Sequence, residues 1–281
     1  MEKSVTLRFY DVERTRNDRP ALATVLRQIS AEPIQDRGRH VTGEDIFVRL
    51  EDFEEDDDCI EGQFVRGQSG NRPGQMLADG TTDLPFTEPI GHGIAFRYRP
   101  ADGLLAIEYN PLVLSPSRVF AYIYECAPRA EYLLQPRLRE GIWEELERRP
   151  LRKLILGIAG HPHVAAADDP NDATWSNIGD MSERYGAHSI KIEIGMGHRD
   201  GGLAEAAKGL IRDAFRRYEG GTDDIRTLRG VVETAAGEPN DEINLIGELL
   251  DWREDLHFPG NDWTRFYALR RNLLETAMDR I

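Results

Sequence analysis

The stretch from Gly91 to Asn110, GHGIAFRYRPADGLLAIEYN, decides the fold. Apolar side chains alternate with other residues from Ile94 to Tyr98, and they alternate again from Leu105 to Tyr109. The residues between these runs, Pro100 to Gly103, have the composition of a tight turn. Alternation on both sides of a turn predicts a β-hairpin with one face in a core.

The elements around this hairpin predict a mixed architecture. Strands are expected at Val5–Phe9, Ile46–Leu50, Ile60–Val65, 154–158, 190–194 and 225–232, and helices at Ala21–Ile29, 117–126, 175–185, 203–218 and 263–281. Ser115 and Pro116 supply the N-cap and the first helical position of the 117–126 helix. The glycine-rich residues 66–82 predict a long loop, and 243–250 is ambiguous between strand and helix.

The pattern as a whole is typical of an α+β protein with a mostly antiparallel sheet and flanking helices. We expect two regions, 1–128 and 129–281, with one undivided domain as the alternative. The predicted sheet core consists of seven residues at alternating or continuous apolar positions of the clearest strands: Ile94, Phe96, Leu105, Ile107, Ile155, Ile192 and Ile194.

Composition excludes several classes of protein. The 281 residues include 35 Lys and Arg against 50 Asp and Glu, a formal charge of −15, so bulk charge does not attract the chain to phosphate. Two cysteines exclude a disulfide framework. The N-terminus lacks a secretory signal pattern and no window has the length of a membrane helix, so we expect a cytoplasmic protein without membrane insertion.

One stretch, residues 129–153, is locally basic and interleaves Tyr132 and Trp143. The candidate nucleic-acid contacts in it are Arg137, Arg139, Arg148, Arg149, Arg152 and Lys153. The alternative is a salt-bridged helix in which Glu144 pairs with Arg148 and Glu145 with Arg149, each four residues apart.

Two further segments suggest other chemistry. His161 and His163 with Asp168 could hold a metal ion in a hydrolase or nuclease, but the two histidines of His-Pro-His point to opposite sides of an extended chain. We therefore expect no metal, no cofactor and no catalytic residue. The acidic tract, residues 51–58, suggests an interaction module or inhibitor, although a solvated turn explains it equally well.

Four segments in order, Gly91–Phe96, Leu104–Asn110, Ser189–Arg199 and Ile243–Leu250, resemble the phage-exclusion protein A (Rex type) family and related defence-associated proteins. The resemblance covers residues 40–260 in layout and rests on apolar patterns and glycines. It implies a self-associating α+β protein that contacts DNA with little sequence preference. It also implies a second partner, another protein of the same defence system. It carries over no catalytic residue.

The sequence therefore predicts a non-enzymatic DNA-engaging or sensor protein of a phage-defence or prophage-exclusion system. A homodimer is also expected, because the apolar faces of the 115–126 and 263–281 helices exceed what one small core covers. The metal-dependent hydrolase and the acidic interaction module remain the alternatives.

Overall fold

In the computed structural model of the chain, the decisive hairpin forms as predicted. Strand β7 (Ile90–Arg99) pairs antiparallel with β8 (Leu104–Glu108). Gly103 has a φ of +73°, and a Cβ there would lie 3.0 Å from the carbonyl oxygen of Val12, so this turn requires glycine.

The structure describes residues 2–41, 46–56, 58–159, 173–187, 189–197, 202–203, 205–219, 225–233, 240–258 and 262–281. The fold is α+β with mostly antiparallel sheets, which confirms the predicted class. The chain divides into unit 1, Met1–Leu134 with Asp251–Ile281, and unit 2, Gln135–Leu250. The predicted boundary at 128/129 falls close to the first junction, whereas residues 251–281 belong to unit 1.

Unit 1 is built on an eight-stranded sheet. Its remaining strands are β1 (Glu2–Arg14), β2 (Arg39–His40), β3 (Phe47–Glu55), β4 (Ile60–Gln68), β9 (Tyr132–Pro136) and β14 (Asp251–His257). Their order is β14-β1-β8-β7-β4-β3-β2, with β9 paired to β1. The helices are α1 (Leu22–Ala31), α2 (Pro116–Cys126) and α6 (Trp263–Met278), and a 3-10 turn spans Ile34–Asp36.

One face of this sheet packs against α1 and α2. Phe64 and Phe96 stack there with ring centroids 4.7 Å apart, and Tyr122 of α2 packs edge-on against Phe64. The Tyr122 hydroxyl accepts a hydrogen bond from the Leu50 amide and donates one to the Arg37 carbonyl. Burial raises the pKa of Tyr122. The Ser115 cap forms as predicted, accepting from the Arg118 amide at 3.4 Å.

The opposite face lies under α6, which contacts β4, β7 and β8. Because side chains alternate along a strand, the residues between the apolar ones point to this second face. Leu273, Leu274, Ala277 and Met278 of α6 are buried. Val119, Tyr122 and Ile123 of α2 are buried in unit 1 as well, so neither helix supplies the free apolar face from which a homodimer was expected.

Unit 2 contains a four-stranded antiparallel sheet in the order β11-β10-β12-β13. Its elements are α3 (Ile142–Arg148), β10 (Leu151–Ala159), α4 (Ala173–Tyr185), β11 (Ser189–Gly195), α5 (Glu205–Glu219), β12 (Ile225–Val232) and β13 (Asp241–Asn244). Leu154, Leu156 and Leu228 are buried in its core with side chains of α4 and α5. On the other face of the sheet, Lys191, Glu193 and Arg229 are exposed.

Two expectations need correction, and one alternative that the sequence left open is resolved. Residues 66–82 are not one loop, because β4 continues to Gln68 and a hairpin follows, with β5 (Gln75–Leu77) paired to β6 (Gly80–Thr82). Residues 243–250 contain the end of β13 and then turns. The seven core residues do not share one sheet: the four from β7 and β8 lie in unit 1, whereas Ile155 and the partly buried Ile192 and Ile194 lie in unit 2.

Candidate functional site

The first two candidate nucleic-acid contacts lie on either side of buried Leu138. The Arg139 amide donates to the Glu248 carbonyl and the Leu250 amide donates to the Arg137 carbonyl, each at 2.8 Å. This main-chain pairing holds the segment in unit 2. Because Leu138 points inward, its two neighbours point outward, and Arg139 is exposed.

Two adjacent arginines at the end of α3 differ in their surroundings. Arg149 forms ion pairs with Glu145 and, at 2.7 Å, with Asp241, and its Nε donates to the Glu233 carbonyl at 2.8 Å. The predicted Glu145–Arg149 pair is therefore present. Arg148 is exposed, and none of the described residues forms an ion pair with it. Arg149 therefore joins α3 to β13, whereas Arg148 is free to meet another molecule.

The last two candidate nucleic-acid contacts, Arg152 and Lys153, already bind neighbouring groups of unit 2. Arg152 lies 3.9 Å from Glu233, and its Nη2 donates to the Gly197 carbonyl. Lys153 pairs with Glu193 at 2.6 Å across β10 and β11, and this contact lowers the pKa of Glu193. Both cations are therefore already neutralised in part by neighbouring groups.

Of the two aromatic residues in this stretch, Tyr132 does not add a stacking surface. The ring of Tyr132 packs edge-on against Phe120, and its hydroxyl donates to the Pro20 carbonyl, so it belongs to unit 1. The side chain of Trp143 lies outside the described residues. A shallow depression is lined by the adjacent residues Arg148 and Arg149 and by three glutamates, Glu140, Glu144 and Glu145. The arrangement therefore offers two exposed guanidinium groups, Arg139 and Arg148, among carboxylates.

The acidic tract is largely neutralised within unit 1. Glu55 forms a bidentate pair with Arg27 of α1, and the hydrogen bond from that arginine lowers the pKa of Glu55. Glu54 pairs with Arg271 at 2.6 Å, and Asp56 with Arg97 at 3.1 Å. These contacts attach β3 to α1, α6 and β7, which gives the tract a structural role.

Sequence reasoning missed a buried charged network between the sheet of unit 1 and α6. Arg270 is completely buried, and its Nη1 donates to Glu108 Oε2 at 2.8 Å and to the Gly93 carbonyl at 2.7 Å. Its Nη2 donates to Gln63 Oε1 at 3.0 Å, and Gln63 Nε2 donates to Asp52. The guanidinium also lies 4.2 Å from the ring centroid of Phe266. Every member points into the contact between α6 and the sheet.

A second pair of arginines extends this network. Glu61 is buried between Arg97 and Arg271 and forms an ion pair with each. The bulge at Asp52, whose φ is +48°, aims that carboxylate at Gln63, and the Tyr267 hydroxyl donates to the Asp52 carbonyl. Burial raises the pKa of Tyr267. The hydrogen bonds and ion pairs of the network run between α6 and the sheet, so the network positions α6, although the buried Nε of Arg270 has no hydrogen-bond partner among the described residues.

The candidate metal residues His161, His163 and Asp168 lie outside the described residues. Within the part of the chain that is described, histidine, cysteine and acidic side chains form no cluster that could hold a metal ion. Among the described helices, none is both long and apolar enough to cross a membrane.

Comparison with known proteins adds no relative: neither a family model nor a curated protein matches the chain. The resemblance to the Rex-type family therefore stays a prediction.

Proposed function

We propose that the chain is a non-enzymatic protein of a bacterial phage-defence or prophage-exclusion system, and that it engages DNA through unit 2. The observation that carries this proposal is the exposure of Arg139 and Arg148 without an ion pair to any described residue. Carboxylates outnumber cations by 50 to 35 in this chain, and most neighbouring arginines are paired. Two unpaired arginines on one short segment are therefore available for phosphate.

The two arginines flank α3, because Arg139 precedes the helix and Arg148 is its last residue. Glu140 and Glu144 lie beside them, so binding should be weak and should depend on phosphate rather than on bases.

The adjacent residues Arg148 and Arg149 provide a matched test. Arg148→Glu and Arg149→Glu change the net charge equally, but only Arg148 is free to contact DNA. We expect Arg148→Glu to weaken the binding of several unrelated duplexes uniformly and to reduce the salt dependence, with the melting temperature unchanged. Arg149→Glu should instead lower the melting temperature and affect DNA affinity less.

Fluorescence anisotropy at low and moderate salt measures the DNA affinity and its salt dependence, and thermal unfolding measures the melting temperature. An equal loss of DNA affinity in the two variants would show that only net charge matters. If the unmodified chain binds neither duplex nor single-stranded DNA, the proposal is wrong. Phage plating on cells that express the chain or its Arg148→Glu variant tests the defence role separately.

A further inference from the structure

The tripeptide Ala-Asp-Gly occurs twice in the described part of the chain, each time at the turn of a β-hairpin. Ala78–Gly80 lies at the turn between β5 and β6, and Ala101–Gly103 lies between β7 and β8. In an Asp-Gly pair the side-chain carboxyl can approach the next backbone nitrogen closely, because glycine has no Cβ in the way. Since the two tripeptides are identical, a difference in their chemistry must come from the structure around them.

The Asp-Gly pair between β7 and β8 is held by several contacts. Arg99 binds the Asp102 carboxylate through two nitrogens, with its Nε 3.0 Å from Oδ1 and its Nη2 2.8 Å from Oδ2. The Gly103 amide donates to the Arg99 carbonyl at 3.0 Å, and the Gly103 carbonyl accepts from the Val12 amide at 2.9 Å. A Cβ at Gly103 would lie 3.0 Å from the Val12 carbonyl oxygen. The Asp102 carboxyl therefore cannot turn onto the Gly103 nitrogen unless these contacts break.

The Asp-Gly pair between β5 and β6 has no comparable contacts. Asp79 and Gly80 are exposed, and no described residue forms a hydrogen bond or an ion pair with the Asp79 carboxylate. Gly80 has a φ of +152°, and a Cβ there would meet nothing within 4 Å. β5 and β6 contain three residues each and pair only with each other in the described structure. Because an isolated two-stranded hairpin is marginally stable, this one opens easily and frees the Gly80 nitrogen.

We propose that Asp79–Gly80 is a modification site at which the aspartate isomerises spontaneously to isoaspartate. The Gly80 nitrogen attacks Cγ of the protonated Asp79 carboxyl. A bond forms between these two atoms, the carboxyl hydroxyl leaves with the amide proton as water, and a succinimide ring results. Water then adds to the main-chain carbonyl carbon of Asp79 and breaks the bond from that carbon to the Gly80 nitrogen, which takes up the proton. The main chain now runs through Cγ, and water is the sole co-reactant.

Isomerisation changes the hairpin and creates a new chemical group. The isoaspartyl link adds one carbon atom to the main chain between Asp79 and Gly80. Leu77 lies opposite Gly80 across a two-residue turn, and a longer turn no longer holds that pair in register. The modified turn also carries a free α-carboxylate. The class of reaction that consumes this product is methylation of the α-carboxylate by an S-adenosylmethionine-dependent methyltransferase, because the methyl ester closes again to the succinimide with loss of methanol.

Peptide mapping of the aged, intact chain tests the proposal. Samples kept for weeks at mildly acidic pH are digested, and electron-transfer fragmentation distinguishes isoaspartate from aspartate at each site. Total isoaspartate is not used, because a third Asp-Gly pair, Asp200–Gly201, lies outside the described residues. We expect isoaspartate to form at least about tenfold faster at Asp79 than at Asp102 in the folded chain. In guanidinium chloride, where the hairpins unfold, the two rates should be similar. Equal rates in the folded chain, or an unchanged ratio in the unfolded one, would overturn the proposal.

Two variants test the chemistry at each site. Gly80→Ala places a Cβ beside the attacking nitrogen, so isoaspartate at residue 79 should form more slowly even though the substitution strains the turn. An unchanged rate would overturn the proposed attack by the Gly80 nitrogen. Arg99→Met releases the Asp102 carboxylate, so isoaspartate should increase at residue 102 and stay unchanged at residue 79. If either variant fails to fold, the ratio of the two rates in the unmodified chain still decides, and neither measurement depends on DNA binding.

Discussion

The buried ion pair under α6 in unit 1 contrasts with the solvent-exposed ion pairs on the sheet of unit 2. In unit 1, Arg270 and Glu108 are almost fully removed from water and meet between α6 and the sheet. In unit 2, the ion pairs of Lys153 with Glu193 and of Arg229 with Glu242 lie on the surface, with every side chain about 40% exposed or more. Removing one partner of a buried ion pair strongly lowers the free energy of unfolding, because the other charge stays buried and unpaired. Removing one partner of a solvent-exposed ion pair changes it little.

This difference in burial shows which charged surface is free to bind a ligand. The charges of unit 1 specify where α6 sits on the sheet, since any other position would leave Glu108 or Arg270 buried and unpaired. The exposed arginines of unit 2 carry no such constraint. A DNA-contacting surface is therefore easier to place on unit 2 than on the charged network of unit 1.

The largest effect that tests this comparison is expected from Arg270→Met. The substitution keeps an unbranched apolar stem but removes the guanidinium and leaves Glu108 buried without its partner, which should cost about 3 to 5 kcal/mol. Hydrogen exchange should accelerate in α6, β7 and β8, and not in unit 2. The double variant Arg270→Met with Glu108→Gln should recover part of the loss, because the remaining buried group is then neutral. If urea unfolding of Arg270→Met matches the unmodified chain, the network does not hold α6.

A smaller effect is expected from Gly93→Ala. A Cβ at this position would lie 2.5 Å from Gln63 Oε1 and 3.1 Å from the ring of Trp263, so Gln63 or the start of α6 must move. We expect a loss of about 1 to 3 kcal/mol, the usual cost of overpacking. Gly91→Ala is the control, because a Cβ there meets only Val65 Cγ1 at 3.2 Å. Similar melting temperatures for the two variants would mean that the network tolerates displacement of Gln63.

Most elements of both units were predictable from the sequence, whereas the buried network was not, and neither were the strands β2, β5, β6, β9 and β14. Alternation from Ile60 to Val65 and from Ile94 to Tyr98 reports that one face of each strand is buried. Glu61 and Gln63 occupy the other positions, and the sequence pattern predicts that these positions face solvent. The helix that covers them, α6, comes about 200 residues later in the chain. The local signal at the basic stretch was the four-residue spacing of glutamate and arginine. It predicted the Glu145–Arg149 pair, which is present, and also a Glu144–Arg148 pair, which is not among the ion pairs of the described residues. The second partner, Asp241, lies on a distant strand and has no sequence signal.

The same limit applies to the hairpin of β5 and β6 and to the division of the chain. Residues 66–82 contain few apolar side chains, so no core-facing pattern marked β5 and β6, which pack only on each other. Residues 251–281 return to the sheet of unit 1 because β14 pairs with β1. Long-range strand pairing of this kind depends on the whole chain rather than on local pattern.

The smallest effect concerns pH and compares one ion pair from each unit. The hydrogen bond from Arg27 lowers the pKa of Glu55, and that from Lys153 lowers the pKa of Glu193. A carboxyl whose pKa is lowered by folding stabilises the folded state above its unfolded pKa of about 4.3, and this contribution disappears as the pH falls through the folded value. The melting temperatures of Glu55→Gln and of the unmodified chain should therefore differ at neutral pH and converge once the pH falls below the lowered pKa of Glu55.

Glu193→Gln is the matched variant in unit 2, and its effect at neutral pH should be smaller. Glu55 joins β3 to α1, two elements that share no backbone hydrogen-bond ladder, whereas Glu193 and Lys153 lie on strands that are already paired along their length. Protonation of Glu55 should thus speed hydrogen exchange in α1, and protonation of Glu193 should leave β10 and β11 protected. Equal effects of the two substitutions, or a Glu55→Gln difference that persists after the pH has fallen below the lowered pKa of Glu55, would show that the acidic tract does not attach α1 in the way the structure indicates.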